Sequence, residues 1–500
     1  MGKSTGFLDY SRKMNPCESV DKRIGNFREF HGQMDKAARM IQGGRCMNCG
    51  LPFCQTGMKL TGAYTGCPLH NLIPEWNDEI WNENWNQALA RLLKTNPFPE
   101  FTGRVCPALC ESACTEGLYG EPVSIRENEL AIVEEGFKNG QIRARIPSSR
   151  SGKKVAVIGS GPAGLACADR LNQRGHLVTV FEKADRPGGL LMYGIPNMKL
   201  DKKIVLRRIR LLEEEGIEFR LSSGIAKSSE AKKLEQDFDA VVLCCGAEKP
   251  RDLDVEGRNA EGVRFAVDFL TDVTKELLQA ESDGDAGSKS KAASSVRGKN
   301  VIIIGGGDTG NDCVGTCVRL GAASVHQLVR KPRLPKERTP ENPWPEHANV
   351  EKTDYGQEES IGVYGEDPRI YQTKVKKILH DEEGHIQSVV TIRSNPEKTS
   401  SGKLNMVEIP GSEETMPCDL LLLATGFSGC DPGLFKAFGV EATARGSVAT
   451  KDGSFQTGSE KIFSCGDAHR GASLVVHAIS EGRSCAKEVD EYLMGYTNLI

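Results

Sequence analysis

The chain has 500 residues, more than one hydrophobic core usually supports, so several domains are expected. Charged residues make up 26% with the signs nearly balanced, and a net charge of −4 gives no whole-protein attraction to nucleic acid or an anionic membrane. No apolar run approaches the ~20 residues that span a bilayer, and the polar start MGKSTGFLDYSRKMNP lacks the apolar centre of a secretory signal; a cytoplasmic protein with no membrane partner is expected. Seventeen cysteines are many for a reducing compartment, where clustered cysteines more often mean metal or redox chemistry than disulfides.

Residues 1–150 read as helical, with Phe30, Met34, Ala37, Ala38 and Ile41 on one helical face that Gly43 and Gly44 should stop. Trp76, Trp81 and Trp85 read as core packing beside the cysteines. Cys46, Cys49, Cys54 and Cys67 fall as C-x2-C-x4-C-x12-C, and Cys106, Cys110 and Cys114 follow in CPALCESAC. Zinc favours four ligands in two close pairs, which the second group does not form. Iron–sulfur clusters are held by thiolates in short runs, often with a Cys-Pro among them. Seven cysteines are one short of two complete sets, so either one cluster is incomplete or another side chain fills in.

From Lys153 strands and helices alternate, and one larger unit occurs twice. In the first copy an apolar strand runs into Gly159, Gly161 and Gly164 in G-x-G-x-x-G spacing, a helix follows, and a second strand ends at Glu182. Such glycines permit a tight turn, close approach of a pyrophosphate and packing of helix on strand, while an acid at that distance accepts from a ribose diol. The segment Gln279–Lys299 is rich in Ser, Ala, Gly and Lys and reads as a flexible loop. In the second copy Gly305, Gly307 and Gly310 repeat the spacing, with Asp308 and Thr309 opening the helix, and its second strand ends in Arg330 and Lys331 with Arg333 beyond. Basic residues there suit a 2′-phosphate, so the first site is expected to hold FAD and the second NADPH. Cys313 and Cys317, four apart on the second helix, read as one packed face rather than a thiol pair.

Two such units, the second inserted in the first, resemble the flavin-dependent pyridine-nucleotide oxidoreductases. FDAVVLCCGA (Phe238–Ala247) and CDLLLLATGF (Cys418–Phe427) are similar to that family's crossover segments. PGGLLMYGIP, with Gly189 and Leu190, resembles its isoalloxazine segment, and Gly466 and Asp467 its flavin-contacting Gly-Asp pair. The expected fold is α/β: two Rossmann-like dinucleotide-binding domains behind an α-helical iron–sulfur domain. The expected divisions are 1–150 for the helical domain, 151–278 and 418–500 for the FAD domain, 279–299 for the loop and 300–417 for the NADPH domain.

RCMNCGLPFC, GCPLHNLIPEWND, NPFPEFTGRVCPALCESAC, NPWP and SLVVHAISEGR together resemble the small-subunit family of glutamate synthase. The same module occurs in dihydropyrimidine dehydrogenase and in electron-bifurcating ferredoxin:NADP oxidoreductases. The resemblance implies two [4Fe–4S] clusters, one on Cys46, Cys49, Cys54 and Cys114, the other on Cys67, Cys106, Cys110 and Glu129. It also implies a large subunit that receives the electrons and makes glutamate from glutamine and 2-oxoglutarate. Hydride transfer between bound cofactors needs no side-chain acid or base, and none is expected. An NADPH–ferredoxin oxidoreductase and a zinc-binding scaffold are the alternative readings.

Overall fold

The computed structural model describes residues 2–283, 291–398 and 404–499. Helix α1 (Lys36–Gly44) starts where Asp35 caps it by accepting from the Ala38 N–H at 2.8 Å. The helix expected from Phe30 is therefore shorter. Phe30–Met34 is not helical, and Phe30 is buried against Met198 and Tyr355 instead. As expected, α1 ends at Gly43 and Gly44, its last two residues, where it crosses α2 (Ile73–Trp81) so closely that a Cβ on Gly44 would sit 2.3 Å from Trp81. Between these helices lies a hairpin of β1 (Met58–Lys59) and β2 (Tyr64–Thr65). Helices α3 (Trp85–Thr95), α4 (Pro99–Val105) and α5 (Ile125–Lys138) complete the bundle.

In the first α/β unit β3 (Lys154–Ile158), α6 (Pro162–Gln173), β4 (Leu177–Phe181), β5 (Glu218–Arg220) and β6 (Ala240–Leu243) follow in order. The chain then leaves for a second unit of β7 (Val263–Phe265), α7 (Ala266–Asp283), β8 (Asn300–Ile304), α8 (Asp308–Arg319), β9 (Ser324–Val329), α9 (Tyr355–Tyr364) and β10 (Arg369–Tyr371). An antiparallel sheet of β11 (Thr373–His380), β12 (Ile386–Lys398), β13 (Leu404–Glu408) and β14 (Glu414–Pro417) fills the connection to β15 (Leu420–Leu423). The chain returns through β16 (Ile462–Ser464) to the long helix α10 (Val475–Met494), which packs on α6. Both main sheets are parallel, ordered β16-β6-β3-β4-β5 and β10-β9-β8-β15-β7. Helices cover them, which is why Val155–Ile158 and Leu420–Leu423 are apolar and buried on both faces.

Two boundaries differ from expectation. β15 pairs with β8 and β7, so Leu420–Leu423 belongs to the second sheet and the chain re-enters the first unit later than Cys418. The crossings meet where the Arg251 N–H donates to Gly426 O at 2.9 Å and Pro250 bridges Phe427, so the second unit runs from 251 to 426 rather than from 300 to 417. The loop expected over Gln279–Lys299 is helical at both ends, α7 reaching Asp283 and a short helix covering Lys291–Val296; residues 284–290 lie outside the described residues. One apolar core joins Trp76, Leu92 and Phe98 of the helical part to Val155, Leu165 and Ile479 of the first unit, which fixes the cysteine loops against the first sheet.

Candidate cofactor and cluster sites

β3 ends in Gly159, where φ is +103° and a Cβ would lie 2.6 Å from Cys244 O. Gly164 lets α6 pack on β3, a Cβ there falling 2.0 Å from Gly159 O. Gly161 differs: its backbone is extended and a Cβ on it would meet nothing within 4 Å. Folding alone does not require a glycine there, whereas a group approaching the free N–H groups of the first turn of α6 does. Glu182 follows β4 and is buried, accepting from the Ser160 N–H at 3.0 Å, Ser160 Oγ at 2.5 Å and the Ala184 N–H at 2.8 Å. Gly189 (φ +54°) brings the turn before Leu190 against this loop, within 2.9 Å of Gly161 Cα for an added Cβ. Gly466 (φ +69°) approaches Ala163 in the same way, and Asp467 next to it accepts from Ser473 Oγ at 2.6 Å while burial raises its carboxyl. The N-terminus of α6 thus gathers all eight residues expected at the first site.

The second loop repeats this logic. Gly305 has φ +132° with Ala424 O 2.2 Å from an added Cβ, and Gly310 packs on Gly305 O at 2.3 Å. Gly307 again faces open space, with Asp308 and Thr309 beginning α8 beside it. Arg330 and Lys331 follow β9, exposed and without an ion-pair partner among the described residues. Arg333 is already engaged, paired with Glu351 at 2.6 Å. Cys313 and Cys317 are fully buried in the core of the second unit, as a packed face should be.

The cysteines line two cavities. Cys46, Cys49, Cys54 and Cys114 line one of them, walled elsewhere by residues of the helical part such as Ile73, Val123 and Ile125. Cys67, Cys106, Cys110 and Glu129 line the other, together with Asn71, Arg126 and, from α10, Val476. The Cys67 N–H donates to Cys54 O at 2.7 Å, so the two sites share a backbone link. None of these thiols is in a disulfide. Burial pushes Cys46, Cys67 and Cys106 up to about 12 and Cys114 to about 11, so only a bound cation would hold them as thiolates near neutral pH. Among the described residues no three His, Cys, Asp or Glu side chains converge on a single-ion site. Each cavity brings together three or four cysteine side chains, a thiol-rich donor set of the kind that holds iron–sulfur clusters. Glu129 is buried, accepts from Thr102 Oγ and from Asn96 Nδ2 at 3.2 Å, and burial pushes its carboxyl up to about 8.

Sequence reasoning missed the groups that hold these sites together. Lys199, in the stretch after Leu190, reaches Asp312 of α8 at 3.5 Å, and Tyr355 Oη donates to the same carboxylate at 2.8 Å, joining the two α/β units. No local pattern announces a contact between residues 113 apart.

Residues 153–349 and 368–482 match the pyridine nucleotide-disulphide oxidoreductase family, and residues 23–141 match dihydropyrimidine dehydrogenase domain II, 4Fe-4S cluster. The chain is 49% identical to the glutamate synthase [NADPH] small chain of Bacillus subtilis, covering 99% of each. It is 45% identical to the glutamate synthase [NADH] of Schizosaccharomyces pombe, covering all of this chain and 23% of that one. Among solved structures, Mycobacterium tuberculosis FprA in complex with NADPH shares the fold, with a TM-score of 0.53 at 16% identity over 69% of this chain and 85% of that one.

Proposed function

The chain belongs to the glutamate synthase small-chain family, and from that premise we propose that it is the electron-input half of a glutamate synthase. It is an NADPH-dependent oxidoreductase. In this reading FAD lies at the first glycine loop, NADPH at the second, and two [4Fe–4S] clusters in the two cysteine cavities, the second completed by Glu129. Electrons pass to a separate large subunit that makes L-glutamate from L-glutamine and 2-oxoglutarate. A flavin takes the two electrons of a hydride and releases them singly, the conversion that iron–sulfur acceptors require.

The observation that carries the reading is the arrangement of the two cavities beside the flavin-type unit. Val476 of α10 walls the Cys67, Cys106, Cys110 and Glu129 cavity, whereas no residue of that unit walls the other. The first-named set is therefore the inner one, nearer the flavin-type unit, and the other is the outer one, with Cys54 buried but Cys49 exposed. In this reading Glu182, buried beside the first glycine loop, accepts from a ribose diol, the first turns of α6 and α8 give N–H groups to pyrophosphates, and the exposed Arg330 and Lys331 attract a 2′-phosphate. The fungal relative supports the large-subunit partner, because this chain spans only 23% of it.

Anaerobic reconstitution with the large subunit tests the reading. NADPH oxidation that depends on both glutamine and 2-oxoglutarate is expected, with the broad visible absorbance of iron–sulfur clusters over the flavin bands. A colourless, zinc-containing chain would overturn it.

A further inference from the structure

We propose that the apolar surface formed by Leu8, Leu51, Leu118 and Tyr119 around the outer cysteine cavity is the docking face for the large subunit. The proposal rests on the reading above and adds the place of contact to it.

Single exposed apolar side chains are ordinary, but several around one functional cavity are not. Among the described residues four large apolar side chains are more than 70% exposed: Leu8 at 73%, Leu51 at 75%, Tyr119 at 82% and Ile146 at 71%. Leu51 and Tyr119 belong to or directly follow the chain segments that wall the outer cavity, and Leu8 belongs to the short helix packed on the end of α1 that leads into Cys46. Leu51 sits between Cys49 and Cys54. Leu118 and Tyr119 lie in the turn after Cys114, where Thr115 Oγ donates to Cys49 Sγ at 3.3 Å. Leu8 belongs to the short helix Gly6–Asp9, which packs so closely on the end of α1 that a Cβ on Gly6 would lie 2.0 Å from Gly44 O. Arg45 ties the segments together, donating to Tyr10 O at 3.0 Å, Glu121 O at 2.8 Å and Pro122 O at 3.1 Å. The backbone two residues beyond Leu8 and two beyond Tyr119 is thus bonded to the one side chain that precedes Cys46.

Position and charge select the occupant. An electron acceptor must come close to a cluster, and this cavity is the outer one, with Cys49 itself exposed. A small diffusing electron carrier of acidic charge would be steered by lysines and arginines. The stretch 46–57 carries no charged residue, and in 115–122 Glu116 is buried, leaving Glu121 as the exposed charge. At the edge, Lys3 and Asp9 neutralise each other at 2.7 Å. A mainly apolar face with Glu121 as its one exposed charge in these two stretches suits a permanent protein partner, whose interfaces resemble a divided core. The fungal relative, where the remaining sequence continues on the same polypeptide, is consistent with permanence.

Sedimentation of the anaerobic holoprotein with the large subunit tests this, comparing the wild type with Leu8→Asp, Leu8→Asp/Tyr119→Asp and, as a control in the link to the first α/β unit, Ile146→Asp. The double variant is expected to bind at least about tenfold more weakly, while Ile146→Asp binds as the wild type does and all keep their visible absorbance and NADPH–ferricyanide activity. Leu8 is not among the residues that wall either cysteine cavity, so Leu8→Asp alone, expected to weaken binding several-fold, decides the matter should Tyr119→Asp cost cluster content. Wild-type affinity in the double variant, or an equal loss in Ile146→Asp, overturns the docking face. A wild-type chain that dimerises alone and is made monomeric by Leu8→Asp assigns the face to a second copy and also overturns it. Failure of the wild type to bind the large subunit refutes the functional reading itself.

Discussion

The Glu346 carboxylate accepts a hydrogen bond from Thr61 Oγ at 2.8 Å, across 285 residues of sequence. The same carboxylate takes the Gly62 N–H at 2.9 Å and the Ala63 N–H at 3.3 Å, and these donors hold its carboxyl down to about 2. Thr65 Oγ donates to Pro345 O at 2.6 Å, while Arg470 of the first unit donates to Tyr64 Oη at 2.8 Å. The β1–β2 hairpin is thereby gripped from both α/β units at once. Removing the acceptor should free it: in Glu346→Ala the Gly62 and Ala63 amides should exchange at least about tenfold faster, read by hydrogen–deuterium exchange. Glu346→Gln, which keeps an acceptor oxygen, should lose less protection. Unchanged exchange in Glu346→Ala would show that the hairpin is held by its own turn.

The glycines of each loop separate folding from cofactor binding. Gly164→Ala and Gly310→Ala force a Cβ to 2.0 and 2.3 Å from a backbone oxygen and should destabilise the apoprotein by about 1–3 kcal/mol or more. Gly161→Ala and Gly307→Ala add a methyl to open space in extended backbone, so apoprotein stability should stay within about 0.5 kcal/mol. Gly161→Ala should nonetheless weaken FAD binding at least about tenfold, and Gly307→Ala should raise KM for NADPH while FAD stays bound. Thermal unfolding of the apoprotein and fluorescence titration with FAD check both halves.

Sequence made the glycine loops legible because strand, turn and helix are encoded within about 30 residues and the glycine spacing serves the local backbone as well as the ligand. The sheet that receives β15 was not legible, since Leu420–Leu423 is buried on both faces and such a run reads alike in either parallel sheet. The start of α1 failed for a different reason. Phe30 has the right spacing for a helix face, but it is apolar because it packs against Tyr355, a contact no local period reveals. The seven cysteines stood out by composition, but their division between two cavities depends on how α1, the hairpin and α5 fold back on one another. Spacing alone left it open, and the family resemblance proposed it.

That division makes a quantitative prediction. With two [4Fe–4S] clusters the chain should hold about eight irons, and Cys46→Ala, Cys49→Ala or Cys114→Ala should each lower this toward about four by emptying one cavity. NADPH-dependent flavin bleaching should survive in these variants while electron delivery to the large subunit is lost. Glu129→Leu keeps the side-chain bulk but removes the oxygens that Thr102 and Asn96 hold, and should likewise lower iron toward about four. Full iron content in Glu129→Leu would mean that Glu129 is a buried structural acid.

In the proposed reading the donor nucleotide is selected by charges at the end of β9. Among the described residues Arg330 and Lys331 have no ion-pair partner, so replacing both with alanine should remove attraction for a 2′-phosphate and leave the described ion pairs intact. KM for NADPH should rise about tenfold or more, the scale of a lost charge-assisted contact, while KM for NADH stays within about twofold. Arg333→Ala should act differently, because its guanidinium is held by Glu351 and its removal leaves that carboxylate beside Arg369 at 3.7 Å. A smaller change in KM for NADPH is expected from it than from the double variant. Steady-state kinetics with both nucleotides and an artificial acceptor distinguish the cases, and equal effects on NADH and NADPH in the double variant would remove the basis for a preference for NADPH.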